Sequence, residues 1–295
     1  MNAPFNRHVG LIVVEVTMSN PNGDPEMESE PRVRELDGLG MISPVSVKRK
    51  YRDLVDSPAF LEQASAKLNF SGQNQFQILE KRGRDRKEIS SLKKDEFIKR
   101  YWDARLFGNT FLESIEGDKG LEKRKKDGEL EHLINTGVLQ IGVGLSVAPV
   151  RIERMTYTNK SGVEGDKDRG MAPLAYRAVA HGIYCIPFFV NPSVATKTGA
   201  TSEDLELFKF ITPYLYEHTT SAIRPQISIL HAWCAEHKNV LGSCPEYLLM
   251  DALKPRLKAG IENSSSREDY DIPTLANIGE LKNRFKNIVD LNDLI

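Results

Sequence analysis

The sequence predicts an α+β domain, and three patterns lead to that prediction. Near the amino end an apolar residue stands at every second position, as in a strand with one buried face: Ile12, Val14, Val16 and Met18. A helix is predicted from Ser43-Pro44, since serine caps helices and proline suits their first turn. In the middle of the chain, two branched, strand-like runs flank a polar excursion, which is typical of a long hairpin.

The first predicted strand ends at a tight turn, SNPNGDP at residues 19–25. Its two prolines fix φ, and its asparagine and aspartate side chains can bond to the local main chain. We expect Gly23 to supply a positive φ in this turn. The chain should therefore change direction sharply between the strand and the helix that follows.

The helix after Ser43 is predicted to carry a cationic stripe. Spacing of three and four residues places one set of side chains on the first face: Val45, Lys48, Arg49 and Arg52. A second, apolar set lies largely on the other face: Val47, Tyr51, Leu54 and Val55. An ordinary solvated charged face is the alternative interpretation of such a stripe. The tight turn before it and the motifs after it favour a functional role.

The composition bounds the function only loosely. The chain has 295 residues and 40% hydrophobic content, enough for one large domain or two small ones with a sizeable core. Lysine and arginine total 40 against 41 acidic residues, which gives a net charge of −1. Nucleic-acid-binding domains are more often basic, so binding would have to depend on local clusters of cations.

No secretion signal or membrane span is predicted. The amino end lacks a charged region followed by an apolar one, and no apolar run is long enough to cross a bilayer. Three cysteines, Cys185, Cys234 and Cys244, form no disulfide framework, which favours reduced thiols and a cytoplasmic protein.

One spacing suggests zinc, namely His231, Cys234 and His237. A tetrahedral site needs a fourth ligand, and no nearby residue clearly supplies one. If the segment is a strand, Cys234 also lies on the opposite face from both histidines. We therefore predict no metal and no cofactor.

Several collinear blocks resemble one known family. They are SNPNGDP (19–25), VSVKRKYRDLV (45–55), YWDARLFGNTF (101–111), GVLQIGVGLSVAPV (137–150), DRGMAPLAYRAVAHG (168–182), EHTTSAIRP (217–225) and HKNVLGSCPEYLLMDAL (237–253). Together they resemble the Cas-seven (Cas7) family, the CRISPR-associated backbone subunit of type I Cascade, in its Csd/Csh branch. The resemblance covers about residues 8 to 255.

The resemblance implies a modified ferredoxin-like core, related to RNA-recognition motifs, with a helical insertion and a protruding β-hairpin called the thumb. It divides the chain into an RNA-binding backbone domain at residues 1–255, with the insertion at 56–104 and the thumb at 150–180. Residues 256–295 are then predicted to form a linker and a final amphipathic helix, with apolar positions at Ile278, Leu281, Phe285, Ile288 and Leu291.

The function that the resemblance implies is non-catalytic. Several copies would line up along a CRISPR guide RNA with other Cascade subunits, bind its phosphates without reading sequence, and present its bases to target DNA. Asn20, Asn22 and Gly23 would shape the turn beside the RNA, and the helix face would hold phosphates through Ser46, Lys48, Arg49 and Arg52. The thumb would contribute Arg151, Arg154, Met155, Lys167, Arg169 and Met171.

Two alternatives stay open at this point. A metal-dependent RNA nuclease could use Asp24 or Asp103 as hard oxygen ligands. A structural oligomer without RNA is the other. The first strand also lacks the stacking aromatics of many RNA-recognition motifs, which favours contacts to the RNA backbone over base stacking.

Overall fold

One large antiparallel sheet organises the chain. The computed structural model describes residues 3–70, 72–81, 83, 89, 92, 94–111, 133–159 and 172–294. In that part the strands are β1 (His8–Ser19), β2 (Gly23–Asp24), β3 (Glu30–Pro31), β4 (Leu39–Ile42), β5 (Gly108–Phe111), β6 (Leu133–Thr136), β7 (Leu139–Ile141), β8 (Gly144–Pro149), β9 (Ile152–Asn159), β10 (Ala172–Val190), β11 (Gln226–His237), β12 (Arg256–Leu257), β13 (Tyr270–Asp271) and β14 (Phe285–Asp290).

The helices lie between these strands. In the same residues the α-helices are α1 (Pro44–Val55), α2 (Pro58–Leu68), α3 (Lys94–Arg100), α4 (Trp102–Phe107), α5 (Ala195–Thr198), α6 (Ser202–Ile211) and α7 (Tyr247–Leu253). Short 3-10 helices also occur, including Leu275–Arg284 near the carboxyl end. The predicted α+β class is confirmed.

The central strands have ferredoxin-like connectivity. The main path through the sheet is β14-β11-β1-β10-β8-β4. Along the chain, β1, α1, β8, β10, α6 and β11 follow the β-α-β-β-α-β order, and their strands lie in the spatial order β11-β1-β10-β8. The modified ferredoxin-like core is confirmed, with β4, β7, β9 and β14 added to it.

The block GVLQIGVGLSVAPV at residues 137–150 forms two strands, β7 and β8. β7 pairs with residues 188–190 of β10, and β8 pairs with Tyr184 and Cys185. The break lies opposite Pro187, which has no N–H to donate, although its carbonyl accepts from Gly142 at 2.8 Å. Proline on β10 therefore explains the interruption.

β1 is buried on both faces, contrary to the prediction of one buried face. Ile12, Val14 and Val16 pack in the larger core with α1 and α6. Val9, Leu11 and Val13 pack in a second core with residues of α7 and of the chain after residue 254. The second face is covered by a segment more than two hundred residues away, which no local pattern in β1 could indicate.

The prediction of an amphipathic helix at the carboxyl end is wrong. The 3-10 helix Leu275–Arg284 is interrupted at Gly279 (φ 49°, ψ −132°), and the chain then continues as β14. β14 pairs with β11 from Trp233 opposite Asp290 to His237 opposite Phe285. The edge of β11 supplies backbone partners that favour a strand there. The predicted linker after residue 255 also contains a capped 3-10 turn, Arg267–Asp269, between the paired strands β12 and β13.

The predicted hairpin in the middle of the chain is present. β9 pairs with the first part of β10, from Ile152 opposite Val179 to Asn159 opposite Ala172. The rest of β10 pairs with β1 up to His8 opposite Val190, so the hairpin continues one strand of the main sheet. Lys167, Arg169 and Met171 lie outside the described residues.

The helix α6 is amphipathic, and its side chains Leu205, Phe208 and Ile211 pack in the larger core. A capping box begins α6: Asp204 N–H donates to the Thr201 hydroxyl, and Thr201 N–H donates to the Asp204 carboxylate. α6 ends at Ile211, and Pro213 then lies in the 3-10 helix Thr212–Tyr214.

We expect acid to destabilise the fold through His8. Burial, and then the positive charge of Lys209, lower the pKa of His8 to about 4. Between pH 4 and 6.5 the unfolded state therefore binds more protons, and stability is lost as pH falls through that range. The loss of unfolding free energy should reach about 3 kcal/mol.

Urea unfolding at pH 7 and pH 4.5 measures this loss, and His8→Gln should reduce the difference in stability between the two pH values. The exposed His218→Gln variant should not, and an equal effect of both would contradict the assignment.

Candidate nucleic-acid interface

The tight turn after β1 holds the start of α1. The side-chain carbonyl of Asn22 accepts from Ser43 N–H at 2.7 Å, and Asn22 O accepts from Arg32 N–H at 3.0 Å. Ser43 in turn caps α1, because its hydroxyl accepts from Ser46 N–H at 3.2 Å. Asn22 therefore fixes the turn and the first residue of α1 relative to each other.

Asn20 is a buried junction within this turn. Its side-chain amide nitrogen donates to Ser29 O at 2.7 Å, and its backbone N–H donates to Ile223 O at 2.8 Å. Its backbone carbonyl accepts from Arg224 Nε at 3.1 Å. Asn20 thus joins the turn to the loop before β11.

Gly23 has a different role from the one predicted. Its φ is not positive; the positive φ values in this loop belong to Glu28 (49°) and Ser29 (61°). A Cβ at Gly23 would lie 2.8 Å from Ser29 O, a backbone atom that has little room to move. The close approach of two backbone segments explains the glycine.

α1 begins and is oriented as the sequence predicts. It starts at Pro44, and the predicted apolar face is buried: Val47, Tyr51, Leu54 and Val55. Tyr51 stacks on Phe208 of α6 with ring centroids 5.0 Å apart, and its hydroxyl bonds to Thr212 at 2.8 Å. Val45 is exposed on the opposite side.

The cationic stripe on α1 is partly neutralised, which the sequence did not show. Arg49 pairs with Asp53 at 2.7 Å and donates to Glu80 O at 2.6 Å. Arg52 is largely buried and pairs with Asp103 at 2.8 Å. A buried carboxylate thus engages the Nε of Arg52, and the role of Arg52 as a phosphate ligand stays a prediction.

Asp103 is a fully buried structural carboxylate. Besides Arg52, its oxygens accept from Leu79 N–H at 2.6 Å and Glu80 N–H at 3.1 Å. It is 0% exposed. Its surroundings do not fit the metal-ligand role of the nuclease alternative, since a metal would have to replace these three donors.

The carboxylate of Asp24, the other candidate metal ligand, also has protein partners. It pairs with Arg32 at 3.1 Å and accepts from Glu26 N–H at 3.2 Å.

Lys48 is the cation of the stripe without a carboxylate partner among the described residues. Its Nζ lies 5.5 Å from the ring centroid of Phe107, the residue that ends α4. Partial burial, and then the nearby charge of Arg52, lower the pKa of Lys48.

Lys50 was missed by the sequence analysis. It lies on the buried side of α1, where its Nζ donates to the Thr219 hydroxyl at 3.0 Å. A lysine among the apolar positions of α1 was the available signal, because it stands three residues after Val47 and four before Leu54.

A family comparison settles the class of the protein. The family model described as CRISPR-associated protein Cas7 matches residues 6–274. The chain belongs to the Cas7 family. This match covers the turn, α1, the hairpin and the loop before β11, so all of the residues above lie within it.

Solved structures of CRISPR complexes contain chains similar to this Cas7 family member. A chain titled "CRISPR RNA-guided surveillance complex, pre-nicking" has 15% identity and a TM-score of 0.50, over 94% of this chain and 87% of that chain. A chain of another "CRISPR RNA-guided surveillance complex" has 13% identity and a TM-score of 0.38, covering 76% and 68%. No curated protein matches the sequence.

The base of the hairpin contacts the turn region in this Cas7 protein. Arg177 on β10 pairs with Glu28 at 3.0 Å and approaches Glu30 at 3.6 Å. Arg151, just before β9, pairs with Glu153 at 2.6 Å, whereas Arg154 is exposed on β9. Met155 is partly buried. Arg177 is a connection that the sequence analysis did not identify.

The residues with zinc-like spacing have protein partners. His231 Nδ1 lies 2.7 Å from the Asp290 carboxylate, and His237 Nδ1 accepts from Ser243 N–H at 2.9 Å. Burial raises the pKa of Cys234 to about 12, which keeps it a thiol. Within the described ranges, no three histidine, cysteine or acidic side chains come together as a metal site.

Among the described helices, none is long and apolar enough to span a membrane.

Proposed function

We propose that this Cas7 family member is a backbone subunit of a type I CRISPR effector, in the Csd/Csh branch. Several copies bind along one guide RNA in the cytoplasm, beside other Cascade subunits, and present its bases for pairing with target DNA. Head-to-tail contacts that do not close produce a helical filament, which suits assembly on a linear template.

The observation that supports RNA binding best is the rigid junction between the turn and α1. Asn22 fixes the turn to the capped start of α1, so Lys48 and Ser46 have defined positions relative to the backbone at Gly23. Such an arrangement suits contacts to phosphates, which fix position without reading sequence. Arg49 contributes at the partly exposed edge of the same face.

The hairpin supports the same proposal. Arg154 lies on β9 and Arg151 directly before it, and Arg177 joins the base of the hairpin to the loop after the turn. We propose that the hairpin grips RNA bound to a neighbouring copy. Phosphate contacts would come from Arg151, Arg154, Lys167 and Arg169, and Met155 and Met171 would lie beside the bases. An apolar wedge between bases costs a few kcal/mol per step, which phosphate contacts offset.

We expect Lys48→Ala with Arg49→Ala to weaken binding to unrelated guide sequences alike. Each lost phosphate contact should also reduce the slope of log affinity against log salt by about 0.7 for single-stranded RNA. Fluorescence anisotropy of labelled RNA across a salt series measures both quantities.

Lys282→Ala with Arg284→Ala is the matched control, because it removes one exposed lysine and one exposed arginine after α7. We expect this control to keep the wild-type slope. An equal slope in all three proteins would contradict binding through α1. Purified protein that never contains or binds nucleic acid would support the structural-oligomer alternative.

The same assembly tests the proposed absence of catalysis. Complementary RNA incubated with the assembled protein and Mg²⁺ should stay intact. Cleavage that disappears in Asp24→Ala would favour the nuclease alternative.

A further inference from the structure

A buried hydrogen-bond network lies where the hairpin leaves the main sheet. His181 on β10 stands opposite Thr17 of β1, and from Val179 to Ala172 β10 pairs with β9. His181 and Glu15 of β1 are 3% and 8% exposed, and His181 Nε2 lies 3.3 Å from Glu15 Oε1. Two polar side chains are thus buried together at the base of the hairpin, where they need partners within the protein.

The segment at residues 256–271, which we call the strap, supplies those partners. His181 Nδ1 lies 3.0 Å from the Ser264 hydroxyl, and Arg267 pairs with the second oxygen of Glu15 at 2.8 Å. A carboxylate only accepts hydrogen bonds, so in a neutral imidazole the proton of His181 lies on Nε2 and Ser264 donates to Nδ1. Each donor in the network therefore meets an acceptor.

The strap is also fixed to the second core. β12 pairs with β13 within it, and Tyr270 of β13 is buried among the residues of that core. The Tyr270 hydroxyl donates to Ser264 Oγ at 2.8 Å, and its ring centroid lies 6.0 Å from that of His181. The strap is therefore an ordered element that contacts both the second core and the base of the hairpin.

The sheet alone holds the base of the hairpin incompletely. Met18 lies near the end of β1 with a φ of 44°, a conformation that residues other than glycine rarely adopt. A strand residue in this conformation departs from the regular pleat and bends the ladder locally, as a β-bulge does. A regular ladder thus does not by itself set the direction of β10 beyond His181.

We propose that the strap fixes the direction in which the hairpin leaves the main sheet, with Glu15 and His181 as positioning residues. Arg177 joins the base of the hairpin to the loop after the turn, and the strap adds a second tether four residues further along β10. A hairpin tethered at two points keeps one orientation when it grips RNA on a neighbouring copy. This effect on RNA rests on the proposed function, whereas the effect on the hairpin does not.

A network that only stabilises the domain is the alternative, and amide hydrogen exchange separates the two roles. Exchange reports local opening and global unfolding separately, strand by strand. A positioning role predicts faster exchange in β9 alone. A network that only stabilises the domain predicts faster exchange in β11 and β14 as well.

The experiment compares the wild type with Ser264→Ala combined with Arg267→Met. Both substitutions lie in the strap and leave Glu15 and His181 in place. We expect roughly tenfold faster exchange in β9, the effect of losing one or two net hydrogen bonds, with wild-type rates in β11 and β14.

Ser265→Ala combined with Lys258→Met is the matched control, because it also removes one hydroxyl and one cation from the strap. Ser265 Oγ donates to the Asp269 carboxylate at 3.2 Å, and Lys258 Nζ donates to Glu268 O at 2.6 Å. Both of these bonds lie within the strap. This control should leave exchange in β9 unchanged.

Binding of RNA by the same variants tests the consequence for assembly. The Ser264→Ala and Arg267→Met protein should bind a labelled RNA that holds one copy as the wild type does. An RNA that holds several copies should be bound roughly tenfold more weakly, because the grip between copies is lost. Ser264→Ala alone, which removes no charge, should change the affinity in the same direction.

Wild-type exchange in β9 of the Ser264→Ala and Arg267→Met protein would overturn the inference. Equally faster exchange in β11 and β14, or the same change in the control, would also overturn it. Faster exchange in β9 with unchanged affinity for the longer RNA would remove the role of the strap in RNA binding. Faster exchange in β9 with no RNA binding by the wild type would support the strap and reject the proposed function.

Discussion

Asp103→Ala is expected to lower the free energy of unfolding by about 3–5 kcal/mol, because it leaves a largely buried arginine without its counter-charge. Asp103 accepts from Arg52 on α1 and from the N–H groups of Leu79 and Glu80. All three donors would lose their partner at once. Urea unfolding at pH 7 measures the loss.

Asp53→Ala provides a matched control. Asp53 also pairs with an arginine of α1, Arg49, but its side chain is 46% exposed, whereas that of Asp103 is 0% exposed. Exposed pairs contribute about 0–1 kcal/mol, so the two variants should differ several-fold. Equal losses would show that the burial of Asp103 contributes little.

Arg105→Met is expected to have an effect of similar size, about 3–5 kcal/mol, since it leaves the buried carboxylate of Asp204 uncompensated. Arg105 donates to both oxygens of Asp204, at 2.6 and 2.9 Å. It also donates to three backbone carbonyls, those of Gln75, Ile98 and Lys99. One side chain therefore joins α4 to α6 and to the segments before α3 and at its end.

A second substitution tests whether the buried charge is the cause. Asp204→Asn removes that charge and keeps an acceptor for Thr201 at the start of α6. In the Arg105→Met background it should recover about 0.5–3 kcal/mol, the usual range of coupling between contacting residues. Strictly additive losses would contradict the explanation. The control Arg100→Met breaks the exposed pair with Glu96 and should cost about 0–1 kcal/mol.

Both predictions concern one short segment, YWDARLFGNTF at residues 101–111. Asp103 reaches α1 and Arg105 reaches α6, while Trp102 Nε1 donates to Asp204 O at 3.1 Å. Phe107 lies beneath Lys48. The segment thus fixes the helix that we propose to bind RNA relative to the core. An acidic residue that could be taken for a metal ligand is instead part of the scaffold.

Local patterns sufficed for elements whose signals lie within a few residues. The alternation from Ile12 identified β1, the Ser43-Pro44 start identified α1, and the polar excursion between two strand-like runs identified the hairpin. Caps, prolines and hydrophobic period act over one or two turns, so a single sequence contains them. The family resemblance then supplied the ferredoxin-like connectivity.

The carboxyl-terminal segment shows where such reasoning fails. Its apolar spacing fits a helix, yet residues 285–290 form β14, because the edge of β11 lies within reach and Gly279 interrupts the preceding 3-10 helix. Which conformation wins depends on a partner strand far away in sequence.

The sequence by itself determined the α+β class, the turn, the start and the buried face of α1, and the presence of the hairpin. Only the tertiary structure decided how the charges of α1 are engaged: Arg52 pairs with Asp103, whereas Lys50 lies on the buried side of the helix and donates to Thr219. It also decided that both faces of β1 are buried. The physical reason is that ion pairs and burial depend on which distant segments meet, and charge and hydrophobic patterns within one segment contain no information about that meeting.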